Sequence, residues 1–150
     1  VRVRVPLQLL FVSLTKMVEE YIPSKTTKKH IELAERVANQ SIYSSFKHGA
    51  VLTKSGAVIN ASCNKNGFNS FGARFRKKEY GRATLHAELG AVLNVERSKT
   101  EGSTVYVVRV NKKGEKRLSK PCHMCQSALQ YCGIKKVIYS TNEGYEVIKL

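Results

Sequence analysis

Between residues 28 and about 42 the apolar positions Ile31, Leu33, Ala34, Val37, Ala38 and Ile42 recur at steps of three and four, with Glu32, Glu35 and Arg36 between them. This spacing predicts an amphipathic helix. The pattern then changes to two short apolar runs, GAVLTK and AVINASCN, separated by Ser55-Gly56. They predict a β-hairpin with strands at 49–53 and 57–63 and a glycine-containing turn. Residues 65–82, KNGFNSFGARFRKKEYGR, follow neither period and predict a long loop. Thr84 can cap a helix running to about residue 97, with Leu85, Leu89, Val92 and Leu93 toward the core. STVYVVRV at 103–110 has the β-branched content of a strand, and 111–120 is a basic turn around Gly114. Pro121 suits the first position of a further helix that stops at Gly133. KKVIYST is another strand, and 144–150 forms a short last strand or helix.

Helix, hairpin, helix, strand, helix, strand is thus the expected order. Strands alternating with helices in the second half imply crossover connections and parallel pairing there, while the hairpin is antiparallel. The expected fold class is α/β, a three-layer α/β/α sandwich around a mixed sheet of about five strands. A chain of 150 residues is long enough for one core that buries about 68–70% of the unfolded surface. Residues 17–150 are expected to be that single domain. Residues 1–16, VRVRVPLQLLFVSLTK, combine two arginines with a mostly apolar stretch but no small-x-small cleavage pattern follows. They are expected to be an extension upstream of a natural start at Met17, with an N-terminal targeting segment as the other reading. No apolar run approaches the roughly 18 residues of a membrane helix, so no membrane partner is expected.

Composition narrows the chemistry. All eleven acidic residues are Glu, and there is no Asp. Aspartic dyads, triads in their Asp form, EF-hand loops and Asp-based magnesium sites are therefore excluded. Four cysteines, at 63, 122, 125 and 132, are too few and too uneven for a secreted disulfide framework. They point instead to a reducing, intracellular compartment, cytoplasmic or nuclear.

Two segments carry the candidate chemistry, LHAEL with His86 and Glu88, and SKPCHMC with Cys122 and Cys125. One imidazole and two thiolates make a three-ligand zinc set with a fourth position open, the pattern of a catalytic metal site. Cys122 and Cys125, three apart at a helix start, project to one side, and the helix dipole there favours the thiolate. Glu88 is close enough to reach a water on such a metal and exchange protons with it. A thioredoxin-like redox pair would leave the HAE helix without a purpose. A structural zinc cluster would have to recruit Cys63, Cys132 or His123, and the two thiols sit where ordinary free core cysteines do. His30 and His48 are read as surface or satisfied core positions.

HxE followed by PCxxC resembles the cytidine deaminase superfamily, specifically its CMP/dCMP-type zinc-binding region, over roughly residues 28–142. The resemblance implies a cytidine deaminase-like fold, a Zn2+ cofactor held by His86, Cys122 and Cys125, and Glu88 as the proton shuttle in hydrolytic deamination. It also implies an Asn at the end of the second strand against the ribose, for which Asn64 is the match and Asn66 the alternative. Glu88 and Pro121 are separated by 32 residues, more than the family pattern leads one to expect, and the surplus falls in the basic turn. Association into a homo-oligomer is a further implication of the resemblance.

Charge bears on the substrate. The net charge is +15, and segments 65–82 and 109–120 each hold six cations against one Glu, so each contributes +5. Arg74, Arg76, Lys77, Lys78 and Arg82 are interleaved with Phe68, Phe71, Phe75 and Tyr80, the combination by which single-strand binders hold phosphates and stack bases. A solvated basic loop with two or three rings in the core is the plainer reading. The expected reaction is cytosine to uracil in a (deoxy)nucleotide or single-stranded nucleic acid. Adenosine deamination in tRNA and a catalytically silent, deaminase-like nucleic-acid-binding module are the alternatives.

Overall fold

The computed structural model describes residues 21–68, 70–75 and 84–150. The N-terminal extension, Met17, and the loop residues Arg76, Lys77, Lys78, Tyr80 and Arg82 lie outside the described residues.

Helix α1 (Lys25–Ala38) starts three residues earlier than its apolar spacing predicts, because the Ser24 hydroxyl accepts the Thr27 amide at 3.2 Å. It also stops earlier. Asn39 closes the last turn with its backbone and with a side-chain amide donating to the Glu35 carbonyl at 3.1 Å. Ile42 falls beyond that stop and is 72% exposed, so its place in the apolar series has no structural counterpart.

Strands β1 (Lys47–Lys54) and β2 (Ala57–Cys63) form the expected antiparallel hairpin. Ser55 and Gly56 both take positive φ, 52° and 81°, in the two-residue turn whose twist suits a hairpin. The stretch read as an unbroken loop contains β3 (Lys65–Phe68) and a single helical turn, α2 (Ser70–Ala73). Strand β3 pairs antiparallel with the two-residue β4 (Thr84–Leu85), a bridge too short to leave a period in the sequence.

Thr84 is therefore strand, not cap. The single long helix expected there is instead α3 (Ala87–Val92) and α4 (Arg97–Thr100). Asn94 at φ 61° interrupts the helical path, and the Asn60 side chain donates to the Ala91 carbonyl at 3.1 Å, so α3 ends on a bonded terminus. Strand β5 (Thr104–Val110) turns through Gly114 into β6 (Lys116–Arg117), which gives the basic turn a short hairpin. Helix α5 (His123–Tyr131) has Cys122 at its N-cap, so Pro121 precedes the cap rather than opening the helix. Gly133 at φ 80° follows its end as expected. Strands β7 (Lys136–Ser140) and β8 (Tyr145–Lys149) complete the chain.

The sheet runs β2-β1-β5-β7-β8, with β6 added beside β5. Strands β5 and β7, joined through α5, are parallel and the other pairs are antiparallel, which makes the sheet mixed. Strand alternation sorts the core onto two faces. Val51, Tyr106, Val108 and Ile138 pack under α1 with Ile31, Ala34 and Ala38. Ala50, Leu52, Val105, Val107 and Val137 pack on the other side with Ala87 and Ala91 of α3 and Leu129 of α5. Helix α1 approaches β1 so closely at Gly49 that a Cβ there would lie 2.1 Å from the Ala34 carbonyl oxygen. His30, on α1, is buried with its ring 5.1 Å from that of Tyr106, and its Nδ1 has no hydrogen-bond partner among the described residues. No helix among the described residues is long and apolar enough to cross a membrane.

Candidate metal centre

His86 occupies the N-cap position of α3 and Cys122 that of α5, and Cys125 lies in the first turn of α5. Both helices start at the same end of the sheet and pack against each other through Leu89, Met124, Cys125 and Ala128. The two motif segments therefore converge. Nδ1 of His86 is 3.7 Å from Cys122 Sγ and 3.3 Å from Cys125 Sγ, and the three ligand atoms all lie within 4.8 Å of one another. Tetrahedral Zn2+ with Zn–S near 2.3 Å and Zn–N near 2.0–2.1 Å puts nitrogen and sulfur ligands about 3.5–3.6 Å apart. The donor set and its spacing fit Zn2+.

Their ionisation has a clear physical origin. Hydrogen bonding from Cys125, and then from His86, pulls the Cys122 thiol down to about 4. Cys125 is pushed the other way, well above the ordinary thiol range, because it donates to Cys122 and is buried. The imidazole of His86 is raised chiefly by its bond to Cys122. The metal-free cluster thus holds one thiolate between two donors, and a divalent cation replaces those donors.

Glu88, in the first turn of α3, is only 5% exposed, an unusual position for a carboxylate without a role or a partner. It lines the same cavity as His86 and Cys122. That cavity has a volume of about 240 Å³. Among the described residues Glu88 is the only acid on its wall.

The opposite wall belongs to the chain between α1 and β2. Asn64 follows β2, and its side chain is almost fully committed. Its Oδ1 accepts from Ser41 Oγ at 2.7 Å and from the His48 amide at 3.0 Å, and its Nδ2 donates to the Phe46 carbonyl at 2.7 Å. Among the described residues its second amide hydrogen has no hydrogen-bond partner and is open to a ligand. Asn66 bonds the Tyr43 hydroxyl instead. His48 shares the strand face of Ala50 and Leu52 and so points to the cavity side. Burial lowers its pKa against the raising influence of Glu88, which leaves the imidazole neutral near pH 7. Phe46 is 57% exposed and carries the Arg109 guanidinium 4.6 Å from its ring centre.

Ser119 fixes the approach to the cysteine helix. Its buried hydroxyl bonds the Val107 carbonyl at 2.9 Å and accepts the Ser140 amide at 2.9 Å, clipping the segment before Pro121 onto β5 and β7. Gln126 adds a side-chain bond to the Pro121 carbonyl at 2.8 Å.

The structure brings His86, Glu88, Cys122, Cys125 and Asn64 together around one cavity. Arg74 is exposed, stands 5.9 Å from the Phe71 ring centre and does not line that cavity. Arg76, Lys77, Lys78 and Arg82 lie outside the described residues. Two rings of the expected base-stacking row, Phe71 and Phe75, are partly buried. Phe71 and Phe75 pack against Leu89, Met124, Cys125 and Ala128, with ring centres 5.4 Å apart, because the helical turn at Ser70–Ala73 directs them inward. Cys63 and Cys132 are free thiols and, like the exposed His123, are not part of the ligand cluster. Of the other residues on the cavity wall, His48, Tyr43, Phe46 and Ser119 carry no sign of a role in the sequence, while Lys65 and Lys120 fall in the two basic segments without being singled out. The two lysines also had a local signal, since Lys65 adjoins Asn64 and Lys120 adjoins the PCxxC run.

Residues 24–141 match the family model of the cytidine and deoxycytidylate deaminase zinc-binding region. No curated protein matches the chain in sequence. Among solved structures, the dCMP deaminase of the cyanophage S-TIM5 is similar at a TM-score of 0.56 and 22% identity, covering 80% of this chain and 86% of its own. The cytidine deaminase of Burkholderia pseudomallei is similar at 0.57 and 21% identity, covering 81% and 91%. Acinetobacter baumannii RibD is similar at 0.52 and 19% identity, covering 78% of this chain and 28% of its own. At these identities the likeness is one of fold.

Proposed function

This chain belongs to the cytidine and deoxycytidylate deaminase zinc-binding family, and from that premise we propose that it hydrolyses cytosine to uracil in a free nucleoside or nucleotide. Water adds at C4 and the exocyclic amine leaves as ammonia. His86, Cys122 and Cys125 would hold Zn2+, which when bound would supply the Lewis acidity that makes water a nucleophile near neutral pH. Glu88 takes one proton of the attacking water and passes it to the ring nitrogen, then carries the second, from the new C4 hydroxyl, to the departing amine. The observation that carries this reading is the buried Glu88 carboxylate on the same cavity wall as the three-ligand cluster. Holding zinc alone does not need that carboxylate, whereas hydrolysis does.

Asn64 uses its one uncommitted amide hydrogen to donate to a sugar hydroxyl, while its other bonds keep the wall in place. The neutral imidazole of His48 supplies a polar face without adding charge beside the metal. Two observations favour a small substrate over a strand. Two of the rings that would stack bases are packed inward. The similar folds include a dCMP deaminase and a cytidine deaminase.

A product survey by mass spectrometry tests the reading. Zinc-loaded protein is offered deoxycytidine, dCMP, adenosine, single-stranded DNA and tRNA side by side. Uracil product from a free cytosine nucleoside or nucleotide is expected. Inosine product alone, or uracil formed only within a strand, would replace this reading with another.

A further inference from the structure

Cys125 is fully buried between α3 and α5, whereas Cys122 is exposed at the cap of α5 and lies outside the buried clusters of the described residues. Its place is therefore set by the backbone on either side. On the helix side the Gln126 side chain donates to the Pro121 carbonyl at 2.8 Å and the Gln126 amide to the Cys122 carbonyl at 2.9 Å. On the other side the chain arrives from the β5–β6 hairpin, whose Lys116 is tied away toward Glu35 of α1 at 3.5 Å. Between hairpin and cap it is fastened by a pair of buried serines. Ser119, three residues before Cys122, is 3% exposed, and Ser140, at the end of β7, is 0% exposed. The Ser119 amide donates to the Ser140 carbonyl at 2.9 Å, and the Ser140 amide donates to Ser119 Oγ at 2.9 Å. Ser119 Oγ donates to the Val107 carbonyl of β5 at 2.9 Å. Ser140 Oγ donates to the Arg117 carbonyl of β6 at 2.7 Å and accepts the Arg109 amide of β5 at 3.1 Å, and the two hydroxyl oxygens are 2.9 Å apart. Three strands and the segment leading to Cys122 thus meet on two hydroxyls, each with a carbonyl to donate to and an amide to accept.

We propose that Ser119 and Ser140 are positioning residues for the metal centre, fixing Cys122 Sγ opposite His86 Nδ1 and Cys125 Sγ and so setting the affinity for Zn2+. This rests on the reading of those three side chains as the zinc ligands and is independent of which base is deaminated. Two buried, bonded hydroxyls add little net stability over an apolar pair of the same shape. What a fully satisfied buried network does supply is a single arrangement of the chains it joins. Only about 10 Å of chain separates Ser119 from Cys122, and Pro121 within it is buried and has its φ fixed by the ring. A displacement at Ser119 is therefore passed on to the cap instead of being absorbed on the way. Metal sites tolerate ligand distances only within about 0.2 Å, and loss of the supporting shell weakens metal binding by about 10–100-fold.

Zinc affinity is measured by competition with a chromophoric chelator for wild type, Ser119→Ala, Ser140→Ala and Val51→Ala, at a temperature where the metal-free proteins are folded by circular dichroism. Val51 is as buried as Ser140 but packs under α1 on the other face of the sheet, so its truncation costs stability without touching the clip. Each serine variant is expected to bind Zn2+ about tenfold more weakly, and Val51→Ala to stay within about twofold of wild type. Each chain is also loaded with Co2+, whose thiolate-to-metal absorption reports its bonds to the two cysteines. That absorption, per bound cobalt, should fall in the serine variants and match wild type in Val51→Ala. A serine variant that folds only with metal is read from this spectrum. Serine variants with the affinity of wild type, or its spectrum where only the metal-bound form folds, overturn the proposal. An equal loss in Val51→Ala also overturns it, because it marks general destabilisation. Failure to form uracil from any substrate would leave these readings unchanged, so the clip and the proposed reaction stand or fall separately.

Discussion

Asn64 and His48 are joined twice. The His48 amide donates to Asn64 Oδ1 at 3.0 Å, and the Asn64 amide donates to the His48 carbonyl at 3.1 Å. The end of β2 is thereby locked to the start of β1, with the His48 imidazole held on the cavity wall. Asn64→Ala removes the side-chain bond to His48 together with those to Ser41 and Phe46. Leaving those partners short of a bond is expected to cost about 1–3 kcal/mol. Thermal unfolding should show the loss, and KM should rise more than kcat falls, because the wall shifts while the ligand cluster stays intact.

Glu88→Gln preserves shape and removes the proton shuttle. Zinc content by elemental analysis should stay at one per chain, while kcat falls by about 10²–10⁴, the usual contribution of a positioned acid–base group. Loss of zinc along with activity would mean that Glu88 holds the metal site together instead.

Cys122 and Cys125 should respond differently to replacement. Cys125 is fully buried between α3 and α5, and Cys122 is exposed at the helix cap. Alanine at either position should abolish zinc retention, and Cys125→Ala should lower the melting temperature of the metal-free protein further. Equal effects on the metal-free protein would contradict the packing role of Cys125.

Removing the metal exposes the Cys122 thiolate. Its pKa is pulled down to about 4 by donors from Cys125 and His86. The thiolate is the form present above that value and is lost only as pH falls through it. Alkylation of Cys122 in chelator-treated protein should therefore be almost flat between about pH 6 and pH 8, whereas an ordinary thiol near 8.5 would speed up steeply across that range. Added zinc should protect it. A rate that climbs like that of a free thiol would show that the hydrogen bonds from Cys125 and His86 do not persist in solution.

Gly49→Ala tests the fold that carries the site. The added Cβ would meet the Ala34 carbonyl at 2.1 Å and the Ala38 nitrogen at 2.4 Å, both backbone atoms of α1 that cannot turn aside. Overpacking of this kind is expected to cost about 1–3 kcal/mol or more. Denaturant unfolding that matches wild type would contradict the close approach of α1 to β1.

The ligand set was legible because it depends on short spacings. HxE and PCxxC each span a few residues at a helix start, and the strand and helix periods around them fixed which end of the sheet they share. The hairpin turn and the stop at Gly133 were legible for the same local reason, since both need positive φ. The division of the HAE helix was not, because α3 ends where Asn60, far away in sequence, takes its terminal carbonyl. Composition leaves Phe71 and Phe75 open between stacking faces and core rings, and only the turn at Ser70–Ala73 sets them partly buried against Leu89 and α5. His48 was passed over for a similar reason. Its significance comes from which face of β1 lies toward α3, a fact set by packing across the sheet and not by its neighbours in the chain.

Hydrolysis at C4 leaves a trace that no other route to uracil shares, because the incoming oxygen comes from water. The zinc-loaded protein is incubated with dCMP in ¹⁸O-enriched water, and the product is analysed by mass spectrometry beside a Glu88→Gln control. The account predicts dUMP from wild type carrying one heavy oxygen, with ammonia released in equal amount, and almost none from the control. Absence of uracil product from zinc-loaded wild type, or labelled dUMP formed equally by the control, would contradict it.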